Sequence, residues 1–438
     1  MSKVVLKYLQ FLTKSYIKRQ NIEIIGLTGS AGKTTLTVAI HAILSKKYRT
    51  GVTYKSGHGL NSESGIPFAI LGVHVDGYSI FDWIKYLTQS TINFFIKRCP
   101  YEKYIVEMGV DKPGDMDHLL GMLQPVTGIF LSIAKVHGAN FEILMRERKG
   151  IDILDLIFEE KAKLIWSLPE KGNAILNNDS KRIRGLGREI TAKVFTFGLG
   201  KNSDLVGKIL ESSSKQFKGK VIHKDKSGLI QISKYVINKR VFQTLLAAVS
   251  VGVIYDIPLI DCAEAISSMD FPPGRVSKFT GVKDTIILDS SYNSSKPALL
   301  EALDNLFLYK ERKRIAVLGD MRELGTESES EHRGIAKRVI EVAEELVIIG
   351  PAMKEYFYPE AIRLGFDKSK IYTFNNTWEA LDFVKSTLIK GREVILVKGS
   401  QNTLFLEIIV EGLLRKKSDE KLLCRRGAFW EKKRQAFK

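Results

Sequence analysis

The stretch from Ile22 to Leu44, IEIIGLTGSAGKTTLTVAIHAIL, constrains the fold more than any other part of the chain. A short apolar run leads into a glycine-rich turn, and Lys-Thr-Thr then opens a segment of helical character. Gly29 and Gly32 lack a Cβ, so the backbone around them can curl and aim successive N–H groups at one anion. The following helix adds the positive end of its dipole. Lys33 is placed to reach the terminal phosphates of a nucleoside triphosphate, and the Thr34 hydroxyl to ligate Mg²⁺. A turn needed only for tight packing has no use for Lys-Thr directly after its last glycine. The general phosphate-loop pattern has Gly or Ala where Leu27 stands, and this chain fits the narrower form TGSxGKT. Gly29, Ser30, Ala31, Gly32, Lys33, Thr34 and Thr35 are therefore the expected nucleotide-binding set.

With 438 residues the chain is too long for one small core and suits two or three domains. Cys99, Cys262 and Cys424 lie far apart with no CxxC pair, and the seven histidines are equally scattered. This argues against a disulfide or zinc framework and fits a reducing cytoplasm. No apolar run is long enough to span a bilayer and no cleavable signal pattern stands out, so a cytoplasmic enzyme is expected.

Lys and Arg number 67 against 49 Asp and Glu, a formal net charge of +18 that favours anionic partners. The basic residues cluster at both ends, in MSKVVLKYLQFLTKSYIKR and RRGAFWEKKRQAFK. The first segment places Val5, Leu9, Leu12 and Tyr16 on one helical face, with Lys7, Lys14 and Lys18 elsewhere. Such a basic amphipathic helix over residues 1–20 either docks on the domain or lies on a membrane surface, and docking is the simpler reading. Peripheral membrane association through the basic termini stays open. No nucleic-acid-binding module accompanies the charge, so no nucleic-acid partner is expected.

From residue 21 to about Arg275 short apolar strands alternate with helical stretches. YEKYIVEMG and PVTGIFLSI are continuous apolar runs, as in strands buried on both faces. Glu107 ends the first and His137 comes shortly after the second, so both belong with the phosphate loop at the carboxyl edge of a parallel sheet. Residues 180–233 are broken by Gly and Ser and suggest a small antiparallel elaboration. After FPPGR, residues 276–438 repeat strand-then-helix in DTIILDSSYN, KRIAVLGDM, ELVIIG and REVILVKGS, which predicts a Rossmann-like second domain without a dinucleotide fingerprint. The expected fold is α/β: a central ATPase domain with a parallel sheet, then this Rossmann-like domain.

Taken together these segments resemble the Mur ligase family, in its MurF form. TGSAGKTT is similar to that family's ATP loop, NSESGIPFAILG to a segment written NNEIGVPLTLL, and EMGVDKPGDMDHL to its EMG strand end. FPPGR resembles the PGR hinge. DSSYNSSKPALLEAL, VLGDMRELG followed by His332, and VKGSQNTLFLEIIVEGLL resemble the C-terminal signatures, in the expected order.

The resemblance implies an ATP-dependent carboxylate–amine ligase that forms an acyl phosphate and adds D-Ala-D-Ala, or a similar amino compound, to a muramoyl-peptide precursor of peptidoglycan. It implies ATP and two Mg²⁺ ions, an anionic peptide-bearing carrier, and an amino acid or dipeptide as partners. Lys33, Glu107, His137 and Lys161 become the catalytic set, and Thr34, Glu107, His137 and Lys161 the metal set. Lys161 in EEKAKLIW falls where relatives have a lysine carbamylated to bind the second metal; Lys163 is nearly as good a match, and the spacing to Leu164-Ile165 favours Lys161. Gln243, Arg275 and Asp289 are implied nucleotide contacts. Asn61, Asn293 and Lys398 are implied substrate contacts.

Three departures accompany the likeness. Lys239 and Gln243 stand in place of a His-x-x-x-Asn pair, and YNSSKP replaces YNANP. Only about twenty residues precede the phosphate-loop strand, too few for the uridine-binding domain of MurF proteins, which is therefore expected to be absent. That leaves two variants, the same reaction with a shortened substrate site or a related amide ligase acting on a non-UDP or lipid-linked carrier; a non-catalytic nucleotide-binding regulator is the rival reading from a different class.

Overall fold

A computed structural model of the chain describes residues 3–55, 58–59, 61–75, 77, 79–135, 138–148, 150–400 and 403–436. It divides into two compact units, the first running to Ile209 with Gly219–Ile230 and Val241–Met269 added, the second comprising Leu210–Lys218, Gln231–Arg240 and everything from Asp270. The division falls a few residues before Arg275, and parts of the 205–232 strands belong to the second unit.

The first unit begins with α1 (Lys3–Gln20), β1 (Glu23–Thr28), α2 (Lys33–Leu44), β2 (Thr50–Val52), β3 (Tyr54–Lys55), β4 (His58–Gly59), α3 (Gly65–Leu71) and α4 (Ile80–Ile96). It continues with β5 (Lys103–Glu107), α5 (Asp115–Leu123), β6 (Thr127–Phe130), α6 (Glu142–Glu147), α7 (Ile153–Trp166), β7 (Asn173–Asn177), α8 (Lys181–Gly185) and β8 (Lys193–Gly198). Strands β9 (Leu205–Ser212), β10 (Phe217–His223) and β11 (Lys226–Ile232) precede α9 (Lys239–Ile254) and α10 (Leu259–Ser268).

Nine of these strands form one sheet in the order β11-β10-β9-β8-β7-β6-β1-β5-β2, and β3 pairs with β4 in a separate antiparallel ribbon. Strand β1 sits between β5 and β6, parallel to both. It is buried from Ile24 onward, and β5 and β6 are buried throughout, which is why these strands read as unbroken apolar runs. KVFTFG, assigned from sequence to the antiparallel elaboration, instead extends the parallel sheet by pairing β8 with β7. Its exposed Lys193 and Val194 give it the polar-apolar mixture of an outlying strand.

Helix α1 docks on the first unit through Leu9, Leu12, Tyr16 and Ile17, all buried, which favours the docking reading over a free amphipathic helix. Its neighbour α4 starts with a capping box, Ser79 and Asp82 satisfying each other's backbone N–H groups.

The second unit contains β12 (Ser277–Thr280), β13 (Ile286–Asp289), α11 (Lys296–Phe307), β14 (Arg314–Gly319), β15 (Glu345–Ile349), β16 (Ile371–Phe374) and β17 (Val394–Lys398). The sheet order is β12-β13-β17-β14-β15-β16, parallel apart from β12 against β13. The four strands expected from sequence are the inner ones. The edge strands β12 and β16 have mixed burial and escaped the apolar-run criterion.

Candidate active site

Strands β1, β5 and β6 end side by side, Leu27 opposite Glu107 and Thr28 opposite Phe130, so the segments that leave these three strands meet at one sheet edge. The loop after β1 turns into α2 at Gly32, whose φ of +83° is strained for any residue with a side chain. A Cβ there would also lie 2.7 Å from Thr244 Oγ1 and 2.9 Å from a Leu131 methyl. Gly32 is therefore required twice, by backbone conformation and by close packing.

The segment after β6 clamps the loop. Ser30 N–H donates to the Ser132 carbonyl at 2.9 Å, and Ala31 N–H to Ser132 Oγ at 3.1 Å. Ser30 Oγ in turn donates to the Ala134 carbonyl at 3.1 Å and accepts from its N–H at 2.9 Å. Lys33 Nζ arches back to the Gly29 carbonyl at 2.9 Å, which keeps its charge over the loop. Thr34 and Thr35 are buried in the first turn of α2.

Thr34 Oγ1 donates to Glu107 Oε2 at 3.0 Å. Both groups are buried, and the Glu107 N–H is fixed by Thr53 Oγ1 at 3.2 Å. A hydroxyl and a carboxylate set together beside a phosphate loop form an oxygen donor pair of the kind a hard cation prefers. Among the described residues no group of three or more His, Cys, Asp or Glu forms a metal cage.

Lys161 on α7 is 1% exposed and is brought down to about 7, first by burial and then by the charge of Lys33, with Asp111, Glu160 and Asp115 opposing. Its neighbour Glu160 accepts from Gly114 N–H at 3.0 Å and Met116 N–H at 2.9 Å, and so pins α7 to the start of α5. Lys163 points elsewhere, ion-paired with Asp117 at 2.5 Å and Glu160 at 2.7 Å. Two lysines nearly equivalent in sequence thus occupy different environments: one is buried near the loop cation, the other lies half-exposed in a salt bridge.

Gln243 on α9 donates to Asp179 Oδ2 at 2.6 Å, and Asp179 also accepts the N–H groups of Leu199 and Gly200. Asn61 is exposed between β4 and α3, on a segment tied to the one after β5 by the Lys112–Glu63 pair at 3.6 Å. His137 lies outside the described residues.

In the second unit, Arg275, Asp289, Asn293 and Lys398 gather where β13 and β17 end. The Arg275 guanidinium stacks on the Tyr292 ring at 4.4 Å. Lys398 is buried and donates to the carbonyls of Asn293 at 2.9 Å and Ser290 at 3.4 Å. Burial lowers its ammonium to about 8, Glu301 and Asp289 resisting and Arg275 assisting. Asp289 is fully buried, one carboxylate oxygen accepting from Ser291 N–H at 3.0 Å and Ser291 Oγ at 2.6 Å. His332 is buried too, its Nε2 accepting from Met321 N–H at 3.0 Å.

The sequence reading missed Ser132, Thr53 and Glu160, which brace the first edge, and the buried Arg425–Glu407 pair at 2.7 Å in the second unit. Ser132 could have been found as the first polar residue after an apolar strand on the loop's own edge. Nothing local marks Glu160 or Arg425, because each is defined by partners remote in sequence.

The Mur ligase middle domain family matches residues 27–252, and the Mur ligase glutamate ligase domain matches residues 274–401. Among curated proteins, the UDP-N-acetylmuramoyl-tripeptide–D-alanyl-D-alanine ligase of Bacillus subtilis is 24% identical over 93% of this chain and 79% of its own length. Its Borreliella burgdorferi counterpart is 26% identical over 91% and 76%. Among solved structures, MurF from Acinetobacter baumannii shares the fold with a TM-score of 0.75 at 21% identity, covering 94% of this chain and 81% of that one. MurF from Thermotoga maritima, determined in complex with ADP, gives 0.72 at 21% identity over 96% and 85%. With the middle-domain match alone spanning more than half of its length, the chain belongs to the Mur ligase family and is an ATP-dependent acid–amino acid ligase.

Proposed function

We propose that this chain joins D-alanyl-D-alanine, or a closely similar amino compound, to the carboxylate of a muramoyl-peptide precursor in peptidoglycan synthesis. The observation that carries the reading is the Thr34–Glu107 contact at the mouth of the phosphate loop. It occurs in a chain that aligns over more than nine-tenths of its length with relatives bearing that name.

In the proposed reaction a carboxylate oxygen attacks the γ-phosphorus of ATP, and the bond to the β–γ bridging oxygen breaks as ADP leaves with the electron pair. The amine nitrogen then attacks the acyl carbon, the carbon–oxygen bond to phosphate breaks, and loss of a proton from nitrogen leaves the amide. Little covalent chemistry falls to the protein, so positioning and charge neutralisation dominate. Lys33 and the loop amides hold the β- and γ-phosphates. Thr34 and Glu107 hold Mg²⁺, which neutralises phosphate charge when bound.

For a second Mg²⁺ we assign Lys161 and His137. At about 7 the Lys161 amine is substantially uncharged near neutrality, the form able to take up CO₂ and release a proton to give a carbamate. Gln243 is assigned to adenine, Arg275 and Asp289 to the nucleotide, and Asn61, Asn293 and Lys398 to the substrates.

The test is phosphate release and product mass with ATP, Mg²⁺, D-Ala-D-Ala and UDP-muramoyl tripeptide. The expected result is release that requires both substrates and a product heavier by the dipeptide less one water. Turnover with other amine and carrier pairs but not this one would replace the substrate assignment. ATP cleavage indifferent to every amine and carboxylate would overturn the reading.

A further inference from the structure

Helix α4 is apolar on both sides. Tyr86 and Ser90 are buried, with Trp83, Leu87 and Phe94 packed against the core, while Phe81, Ile84, Ile92 and Phe95 run along the opposite side at helical spacing. Phe81 is 83% exposed, Phe95 70% and Ile96 75%. Lys85 and Thr88, both exposed, are the polar interruptions along this 17-residue helix's outer stripe. A soluble domain has no internal use for such a stripe.

The stripe continues onto α1. Tyr8 of α1 meets Thr91 of α4 through their hydroxyl oxygens at 2.7 Å, and Val4 and Phe11, also exposed, lie one turn either side of Tyr8. At the other end the Arg19 guanidinium stacks on Phe94 at 4.6 Å and holds the two helices together.

The charges around this surface are predominantly positive. Lys7, Lys14 and Lys18 on α1, Lys85 on α4, and Lys97 and Arg98 just after it are all exposed. α1 contains no acidic residue, and α4 contains only Asp82, engaged in its capping box with Ser79. Self-association through this face would set lysines against lysines. A protein partner would be expected to find hydrogen-bonding groups, and the stripe offers few.

We propose that α4, with the Val4–Tyr8–Phe11 side of α1, docks on an anionic phospholipid surface, Phe81, Phe95 and Ile96 entering the headgroup–acyl boundary while the lysines meet lipid phosphate. No helix among the described residues is long and apolar enough to cross a membrane, so the association is peripheral. It does not depend on which substrates the ligase joins. The proposal relocates membrane contact from the basic termini alone to a folded two-helix surface.

The test is sedimentation of the full chain with sucrose-loaded vesicles of phosphatidylglycerol and phosphatidylcholine against phosphatidylcholine alone, with thermal melts confirming that each variant folds. The wild type should partition onto the anionic vesicles, several-fold less at high salt. Phe81→Ser/Phe95→Ser/Ile96→Ser should lower the partition coefficient at least tenfold, and Lys7→Glu/Lys14→Glu/Lys18→Glu should abolish the preference for anionic lipid. Leu210→Ser/Leu229→Ser, at exposed apolar sites on β9 and β11 away from the two helices, should leave binding unchanged. Equal partitioning of the triple serine variant and the wild type overturns the proposal. So does absence of vesicle binding with a wild-type dimer that the serine variant renders monomeric, which would make a second copy the occupant.

Discussion

The two edges of the first sheet each hold a buried lysine, and the two are treated in opposite ways. At the amino edge Lys103 has everything a buried cation needs: Glu23 at 2.7 Å, and the rings of Tyr255 and Tyr48 at 4.3 and 4.5 Å. At the carboxyl edge Lys161 is buried within electrostatic reach of a second cation, Lys33, and its charge is disfavoured. One edge satisfies its charge and contributes stability. The other brings like charges together beside a phosphate loop, which is how a site poised for an anionic ligand differs from a structural one.

The largest expected effects separate these roles. Glu107→Gln should lower kcat by roughly 10²–10³-fold while leaving the unfolding midpoint nearly unchanged, since it alters charge at the site and keeps the packing. Lys103→Met should do the reverse, costing about 2 kcal/mol in denaturant unfolding with kcat little changed, because Glu23 loses its partner and the rings lose their cation. If Lys103→Met impaired catalysis as severely as Glu107→Gln, the distinction between the edges would fail.

A smaller effect lies in the pH dependence of the second unit. The folded-state value of Lys398, about 8, is below its unfolded value, so between roughly pH 8 and 10.5 the unfolded chain binds more protons and stability rises with pH. From pH 7 to 9 the gain is about 1 kcal/mol. Lys398→Met should flatten that part of the profile, read from urea midpoints across the range. Smallest is Gln243→Ala, expected to cost about 0.5–1 kcal/mol because its bond to Asp179 is solvent-accessible.

How much of this was legible in the sequence depends on how local each feature is. The phosphate loop, α2 and Glu107 could be read because strand, glycine turn and helix are consecutive, and because an apolar run ending in a carboxylate announces a buried strand end. Lys161 and Lys163 could not be separated by register alone. Their environments depend on Lys33, Asp111 and Asp117, which arrive from other elements. The Arg425–Glu407 pair was invisible for the same reason, since it joins residues 18 positions apart that no periodicity connects. The apolar face of α4 was present in the sequence, but only the burial of its opposite side shows which half lacks a covering.

If an acyl phosphate forms at the Lys33–Thr34–Glu107 edge, oxygen must pass from the substrate carboxylate to phosphate, and following that oxygen is the decisive experiment. With the carrier's carboxylate labelled with ¹⁸O, turnover should place one labelled oxygen in each phosphate released, and Lys33→Ala should remove both turnover and transfer with the fold intact. Released phosphate free of label during amide formation, or full activity in Lys33→Ala, would contradict it.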